Sequence, residues 1–121
     1  MPKIAIIDDE PQITAMLQKA LTRNKELQVS TYNNPVTALN ALDRDKPDVV
    51  LLDIMMPEMD GLDALEKIKG KHPDMKVIMI TAYSTLDRVL ESHKIGANDY
   101  ILKPFESLKV VEDKIIKCLK G

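Results

Sequence analysis

Cysteine and histidine are scarce in this chain, at one and two of 121 residues, and most metal and redox chemistry goes with them. The lone Cys118 excludes an internal disulfide and cannot build a zinc site. His72 and His93 have no Cys or His neighbours at ligand spacing, so both read as surface or packing residues. No apolar stretch approaches the length needed to cross a bilayer. A formal net charge of -2 gives no electrostatic case for nucleic acid or an anionic membrane. Met1-Pro2-Lys3 runs straight into the first apolar run, leaving no room for a signal peptide, so the expected compartment is the cytoplasm.

What is present is one compact domain's worth of residues. Hydrophobic content of 45% beside 30% charged residues is that of a soluble globular protein. A chain of this length buries roughly two-thirds of its unfolded surface. Apolar runs alternate with helical patterns through the whole length, without repeat, linker or low-complexity segment. Ile4-Ala5-Ile6-Ile7 precedes a helix opening at Pro11, with Ile13, Met16, Leu17, Ala20 and Leu21 on one face. Leu27 to Tyr32 alternates apolar and polar residues, as an edge strand does. Asn34-Pro35 caps a second helix with Ala38, Leu39, Ala41 and Leu42 inside. Val49-Val50-Leu51-Leu52 is a third strand, and Asp60 caps a helix containing Leu62, Leu65 and Ile68 that stops at Gly70. After Val77-Ile78-Met79-Ile80, Ser84 and Asp87 resemble a capping box ahead of Leu86, Val89 and Leu90, with Gly96 as the stop. The last strand is Tyr100-Ile101-Leu102. The last helix, from about Ser107, puts Leu108, Val111, Ile115, Cys118 and Leu119 on one face. Strands alternating with helices imply a doubly wound α/β fold with a parallel sheet covered on both sides. The solid runs belong in its centre and the alternating second strand at its edge.

Five polar residues close these runs: Asp8 and Asp9 the first, Asp53 the third, Thr81 the fourth and Lys103 the fifth. In a parallel sheet all five converge on one rim, where open α/β sheets bind ligands. Any single strand-end Asp is more often a turn residue, but the coincidence of all five residues describes a site for a divalent cation and a phosphoryl group. Magnesium takes hard oxygen ligands and is held by one or two carboxylates together with a phosphate. Asp53 is free to serve as a further ligand or as a nucleophile, forming an acyl phosphate. Lys103 and Thr81 would neutralise and hydrogen-bond the phosphoryl oxygens.

Asp8-Asp9, Leu51-Leu52-Asp53-Ile54-Met55-Met56-Pro57-Glu58-Met59-Asp60-Gly61, Thr81-Ala82 and Lys103-Pro104-Phe105 together resemble the receiver domain of bacterial two-component response regulators. The resemblance covers the whole chain, residues 1–121, as a single receiver domain with no output domain in it. It implies a flavodoxin-like five-stranded sheet of order 2-1-3-4-5, with the site at the switch between strands one and three. It implies Asp53 as phosphoacceptor and Asp8, Asp9, Asp53 and the backbone carbonyl of Met55 as magnesium ligands. Lys103 becomes the phosphate-binding lysine, Thr81 and Tyr100 a switch pair, and the Lys103–Pro104 bond cis. The donor would be a sensor histidine kinase or a histidine phosphotransfer protein, docking around Ile13, Thr14, Leu17, Pro104 and Phe105.

A downstream output protein or domain, or a second copy in a phosphorylation-dependent dimer, would read the helix 4–strand 5–helix 5 surface around Arg88, Glu91, Asp99, Tyr100, Lys109 and Val110. Such a chain is a switch that catalyses only its own phosphorylation and dephosphorylation. Met55 and Tyr83, two residues beyond Asp53 and Thr81, would tune the lifetime of the acyl phosphate. Two rivals fit less well. A magnesium-dependent phosphatase with an Asp nucleophile would want a carboxylate where Met55 stands. An FMN carrier would want a Ser/Thr/Gly-rich loop where Glu10-Pro11-Gln12 stands.

Overall fold

A computed structural model of the chain describes residues 2–82 and 87–120. Strands and helices alternate throughout: β1 (Lys3–Ile7), α1 (Pro11–Leu21), β2 (Gln28–Tyr32), α2 (Pro35–Asp45), β3 (Val49–Asp53), α3 (Gly61–Lys71), β4 (Lys76–Ala82), α4 (Asp87–Ile95), β5 (Asp99–Lys103) and α5 (Leu108–Lys120). The five strands pair in parallel in the order β2-β1-β3-β4-β5, the doubly wound, flavodoxin-like topology expected.

The solid apolar runs follow from burial on both faces of the sheet. Successive strand side chains point to opposite faces. Ile4, Ile6, Leu51, Ile78 and Ile80 therefore pack with Leu17 and Leu21 of α1 and Val111 and Ile115 of α5. Ala5, Ile7, Val50, Leu52, Val77 and Met79 pack on the other face with Ala38 and Leu42 of α2 and Leu65 and Ile68 of α3. Edge strand β2 is only partly covered. β1 and β3 sit side by side at the centre, so the residues that close them emerge next to each other.

Local signals set the helix starts. The Asn34 side chain accepts hydrogen bonds from the Val36 and Thr37 N–H groups, and Asp60 accepts from Leu62 N–H; each satisfies donors that a helix N-terminus leaves open. Ser84, the cap of the expected box, lies outside the described residues, as does Leu86, while Asp87 is the first residue of α4. Gly96, at φ 129°, ends α4 as expected, its N–H and that of Ala97 both donating to Ser92 O. Three expectations need correction. α3 runs through Gly70 to Lys71 and is closed by His72, because nothing at Gly70 demands a left-handed backbone. Met16 is 38% exposed and Leu90 72% exposed, so neither belongs to the core stripe of its helix. Thr14 and Ser92, polar residues the hydrophobic pattern passes over, are buried instead.

Gly61 shows how closely the chain returns past Asp53. Its N–H donates to Ile54 O at 2.6 Å, and a Cβ there would meet Asp53 O at 2.2 Å and Ile54 Cα at 2.5 Å. Gly70, on the exposed side of α3, would meet nothing within 4 Å. Gly61→Ala should therefore destabilise the protein by about 3 kcal/mol through overpacking against backbone. Gly70→Ala should stabilise it by about 0.5–1 kcal/mol through helix propensity. Urea unfolding of the two variants checks this; the same sign for both would refute it.

Candidate functional site

The site is the rim formed by the ends of β1, β3, β4 and β5. Asp8 follows β1 directly, its N–H still in the ladder to Tyr32 O. Its carboxylate is buried, and Oδ1 accepts the Glu10 N–H at 2.9 Å, an Asx turn that fixes its direction. Asn33, after β2, donates from Nδ2 to Asp8 O and to Thr14 Oγ1, both at 2.9 Å, so the start of α1 is tied to the same strand end. Asp53 ends β3 level with Ile80, and it too is buried. Thr81 stands one residue further along β4, buried, its hydroxyl donating to Ala82 O at 3.2 Å.

Lys103 reaches in from the end of β5. Its Nζ lies 2.8 Å from Asp8 Oδ2, 3.0 Å from Glu10 Oε1 and 3.6 Å from Asp53 Oδ2. Burial on its own would lower the Lys103 pKa; contact with Asp8 and the charges of Asp53 and Glu10 outweigh it and raise the value. The side chain is an ammonium at neutral pH. The Lys103–Pro104 peptide bond is cis.

Ligand oxygens of Asp8, Asp9, Glu10 and Asp53 all lie within 4.8 Å of one another. This oxygen-only donor set suits magnesium rather than a softer metal. A second observation fits a cation: Asp8 Oδ2, although near Lys103, is off the direction of a hydrogen bond, and among the described residues this buried oxygen has no hydrogen-bond partner. A buried carboxylate oxygen without a donor is costly unless a charge faces it.

Of the expected site residues, Asp8, Asp9, Asp53 and Lys103 converge, and Thr81 borders them on β4. Met55 is 59% exposed, its sulfur 3.5 Å from Arg88 Nη1. Tyr83 lies outside the described residues. Tyr100 sits at the far end of β5 from Lys103, with the Lys114 ammonium 5.2 Å from its ring centroid. Lys114 also binds Tyr100 O and Asp99 Oδ1 at 2.7 and 3.1 Å, so it is not part of a merely solvated face.

The expected docking set needs correction. Leu17 and Thr14 are buried, Leu17 in the core and Thr14 donating to Pro11 O at 3.0 Å. What faces outward beside the site is a groove of about 550 Å³ between α1 and the β5–α5 loop, lined by Glu10, Ile13, Met16, Lys103, Pro104 and Phe105 among others. On the expected output surface, Arg88 points back to the β3–α3 loop, where its Nη2 donates to Asp60 Oδ2. Lys109 stays exposed, paired with Asp113 at 3.3 Å. Glu10 is the site residue that sequence reasoning missed. Its signal was there, a third acid directly after an acidic pair, but a carboxylate before a helix proline reads equally well as turn chemistry.

The chain as a whole is similar to known proteins. A family profile described as "Response regulator receiver domain" matches residues 4–114. The chemotaxis protein CheY of Listeria monocytogenes is 40% identical over 112 residues, 93% of this chain and 94% of that protein. The DNA-binding transcriptional regulator NtrC of Escherichia coli is 42% identical over 113 residues, covering 91% of this chain but 24% of NtrC. The crystal structure of the receiver domain of NtrX from Brucella abortus superimposes with a TM-score of 0.90 at 28% identity, over 98% of both chains.

Burial, and then the neighbouring charge of Asp8, push Asp53 up to about 7, with Lys103 pulling the other way. The folded protein thus holds this proton longer than the unfolded chain does. Stability through this group falls as the pH rises from about 4 to about 7 and levels off above that. Asp53→Asn should therefore stabilise the metal-free protein at pH 8, with a gain that shrinks as the pH drops. Urea unfolding in EDTA at pH 8 and pH 5 measures it, and a gain as large at pH 5 would show the carboxyl is not perturbed this way.

Proposed function

The chain belongs to the response regulator receiver domains of two-component signalling, and we propose that it works as a magnesium-dependent, phosphorylation-driven switch with Asp53 as the acceptor. The observation that carries this reading is the buried Asp53 carboxylate beside a second buried carboxylate, Asp8, with the Lys103 ammonium facing both. A sensor histidine kinase or a phosphotransfer protein in the cytoplasm is the donor. An Asp53 oxygen attacks phosphorus, the bond from phosphorus to the donor histidine nitrogen breaks, and the electron pair leaves with the imidazole.

Asp8, Asp9 and Asp53, with the Met55 carbonyl, would hold magnesium, which when bound supplies the positive charge that keeps Asp53 ionised. Lys103 meets a phosphoryl oxygen as a point charge, and Thr81 donates its hydroxyl to another; positioning and electrostatics are nearly all that phosphoryl transfer needs. The donor approaches along the groove of Ile13, Met16, Pro104 and Phe105. The two-state bias is read on the α4–β5–α5 surface by an output protein or domain, or by a second copy. Met55 in place of a second catalytic carboxylate, and Glu10-Pro11-Gln12 in place of a phosphate loop, weigh against a phosphatase and an FMN carrier.

With magnesium and acetyl phosphate, intact-mass spectrometry should show one added, labile phosphoryl group, absent from Asp53→Asn. Asp9→Ala should lose at least about tenfold in magnesium affinity, the scale set by residues that merely support a metal site. Glu66→Ala, an exposed carboxylate on α3, should change nothing. Undiminished labelling of Asp53→Asn, or equal losses in the two alanine variants, would overturn the assignment.

Met55 and Tyr83 should make hydrolysis of the acyl phosphate slow, since neither thioether nor bulky phenol orients an in-line water well. The double variant Met55→Asn, Tyr83→Glu supplies polar groups and should shorten the lifetime about tenfold, ~1.4 kcal/mol of barrier. A phosphate-release assay reads this directly, and an unchanged lifetime would clear both residues of the role.

A further inference from the structure

Lys103 has two carboxylate partners closer to it than the acceptor. Its Nζ is 2.8 Å from Asp8 and 3.0 Å from Glu10, but 3.6 Å from Asp53, so it rests on the β1 side of the rim. Glu10 donates its backbone N–H to Asp8 and precedes the first residue of α1, yet its side chain makes no capping hydrogen bond to that helix. Its carboxylate accepts instead from Lys103, ninety-three residues away in sequence. Half-exposed, that carboxylate gains little for stability. Its effect is on where the ammonium sits.

We propose that Glu10 is a positioning residue: it draws the Lys103 ammonium toward the start of α1, and a phosphoryl group on Asp53 must win the ammonium away from it. The inference rests on the phosphoacceptor reading of Asp53. A phosphoryl group adds charge and strong acceptor oxygens at Asp53, and the Lys103 side chain, a flexible stem ending in a compact charge, can pivot toward it. Of its two nearer partners, Asp8 is buried and fixed by the Glu10 N–H, and in the proposed site it turns to the cation. Glu10 also brings an oxygen to the acidic cluster and lines the groove beside α1, but the ion pair it makes is with Lys103, so its pull on that ammonium opposes the activated arrangement directly. The residue in this position thereby sets how readily the site accepts and holds a phosphoryl group.

The test uses beryllium fluoride, a phosphoryl stand-in, titrated into the whole chain at saturating magnesium and followed by amide chemical shifts. Wild type should bind it. Glu10→Gln should bind about fivefold more tightly, the scale of a partly exposed ion pair released, with an unchanged unfolding midpoint. Glu10→Asp, a methylene too short to reach Lys103 as well, should tighten binding in the same direction. In a Lys103→Ala background the Glu10→Gln change should do little, less than about twofold, because the charge then has no ammonium to hold.

Equal tightening in both backgrounds would show that Glu10 acts through the general field of the site and would overturn the proposal, as would unchanged or weaker binding in Glu10→Gln. If wild type itself took up no beryllium fluoride, the phosphoacceptor reading would fall and this inference with it. Binding by wild type without the Glu10 effect would overturn this inference alone.

Discussion

Like charges held together out of water are the constraint on which this site turns. Asp8 and Asp53 are buried at neighbouring strand ends, and Asp9 and Glu10 bring their oxygens to the same place. In a medium of low dielectric, such carboxylates cannot all ionise unless positive charge answers them. Lys103 supplies part of that charge, but burial first, and then the charge of Asp8, still push Asp53 up to about 7. The burial and crowding that raise the pKa of Asp53 would also favour a divalent cation here. On the proposed reading, a cation that restored the Asp53 carboxylate would also ready it as a nucleophile, so one electrostatic imbalance would serve metal binding and phosphoryl acceptance together.

The fold sustains the imbalance because its strands leave no slack. Central strands β1 and β3 are apolar on both faces, so the carboxylates at their ends cannot withdraw without dragging core side chains into water. Behind Asp53 the chain doubles back, with Gly61 against the Asp53 carbonyl and Asp60 capping α3 while holding Arg88 of α4. The loop after the acceptor is thus joined to α3 by a cap and to α4 by an ion pair. On the proposed reading, a new charge at Asp53 would act on a loop that already has a connection to α4.

The architecture was legible because it depends on patterns that a sequence states locally: apolar runs, caps at Asn34 and Asp60, and the polar residue that closes each run. Parallel pairing then converts five separate strand ends into one rim without knowledge of any side chain's conformation. The departures have a common physical source. Helical spacing cannot say that Met16 and Leu90 lie on the open side of their helices, since the apolar stripe is wider than the surface a neighbour covers. Thr14 is buried because Asn33, from the loop after β2, supplies a partner, and Glu10 matters because a lysine distant in sequence reaches it. Arg88 is turned toward Met55 and Asp60 for a similar reason. Each of these depends on a long-range polar contact, and hydrophobic periodicity carries no record of those.

Strand β5 links the two ends of the switch in a way that follows from its register. Lys103 and Tyr100 belong to one short strand, and Lys114 of α5 grips it by the Tyr100 carbonyl and the Asp99 carboxylate while its ammonium faces the Tyr100 ring. On the proposed reading, an ammonium drawn from Glu10 and Asp8 toward Asp53 would change the charge felt at the site end of β5, whereas the other end is held by a second lysine through partly exposed contacts. Sub-ångström adjustments in a packed sheet are not absorbed continuously; they favour one of a few arrangements of the side chains at its edge. The exposed ring of Tyr100 and the partly exposed contacts of Lys114 are the side chains there with room to rearrange, while the buried Ile101 between Tyr100 and Leu102 stays locked in the core. On the proposed reading, charge arriving at one end of β5 would be felt as surface shape at the other, with the strand backbone as the fixed member between them.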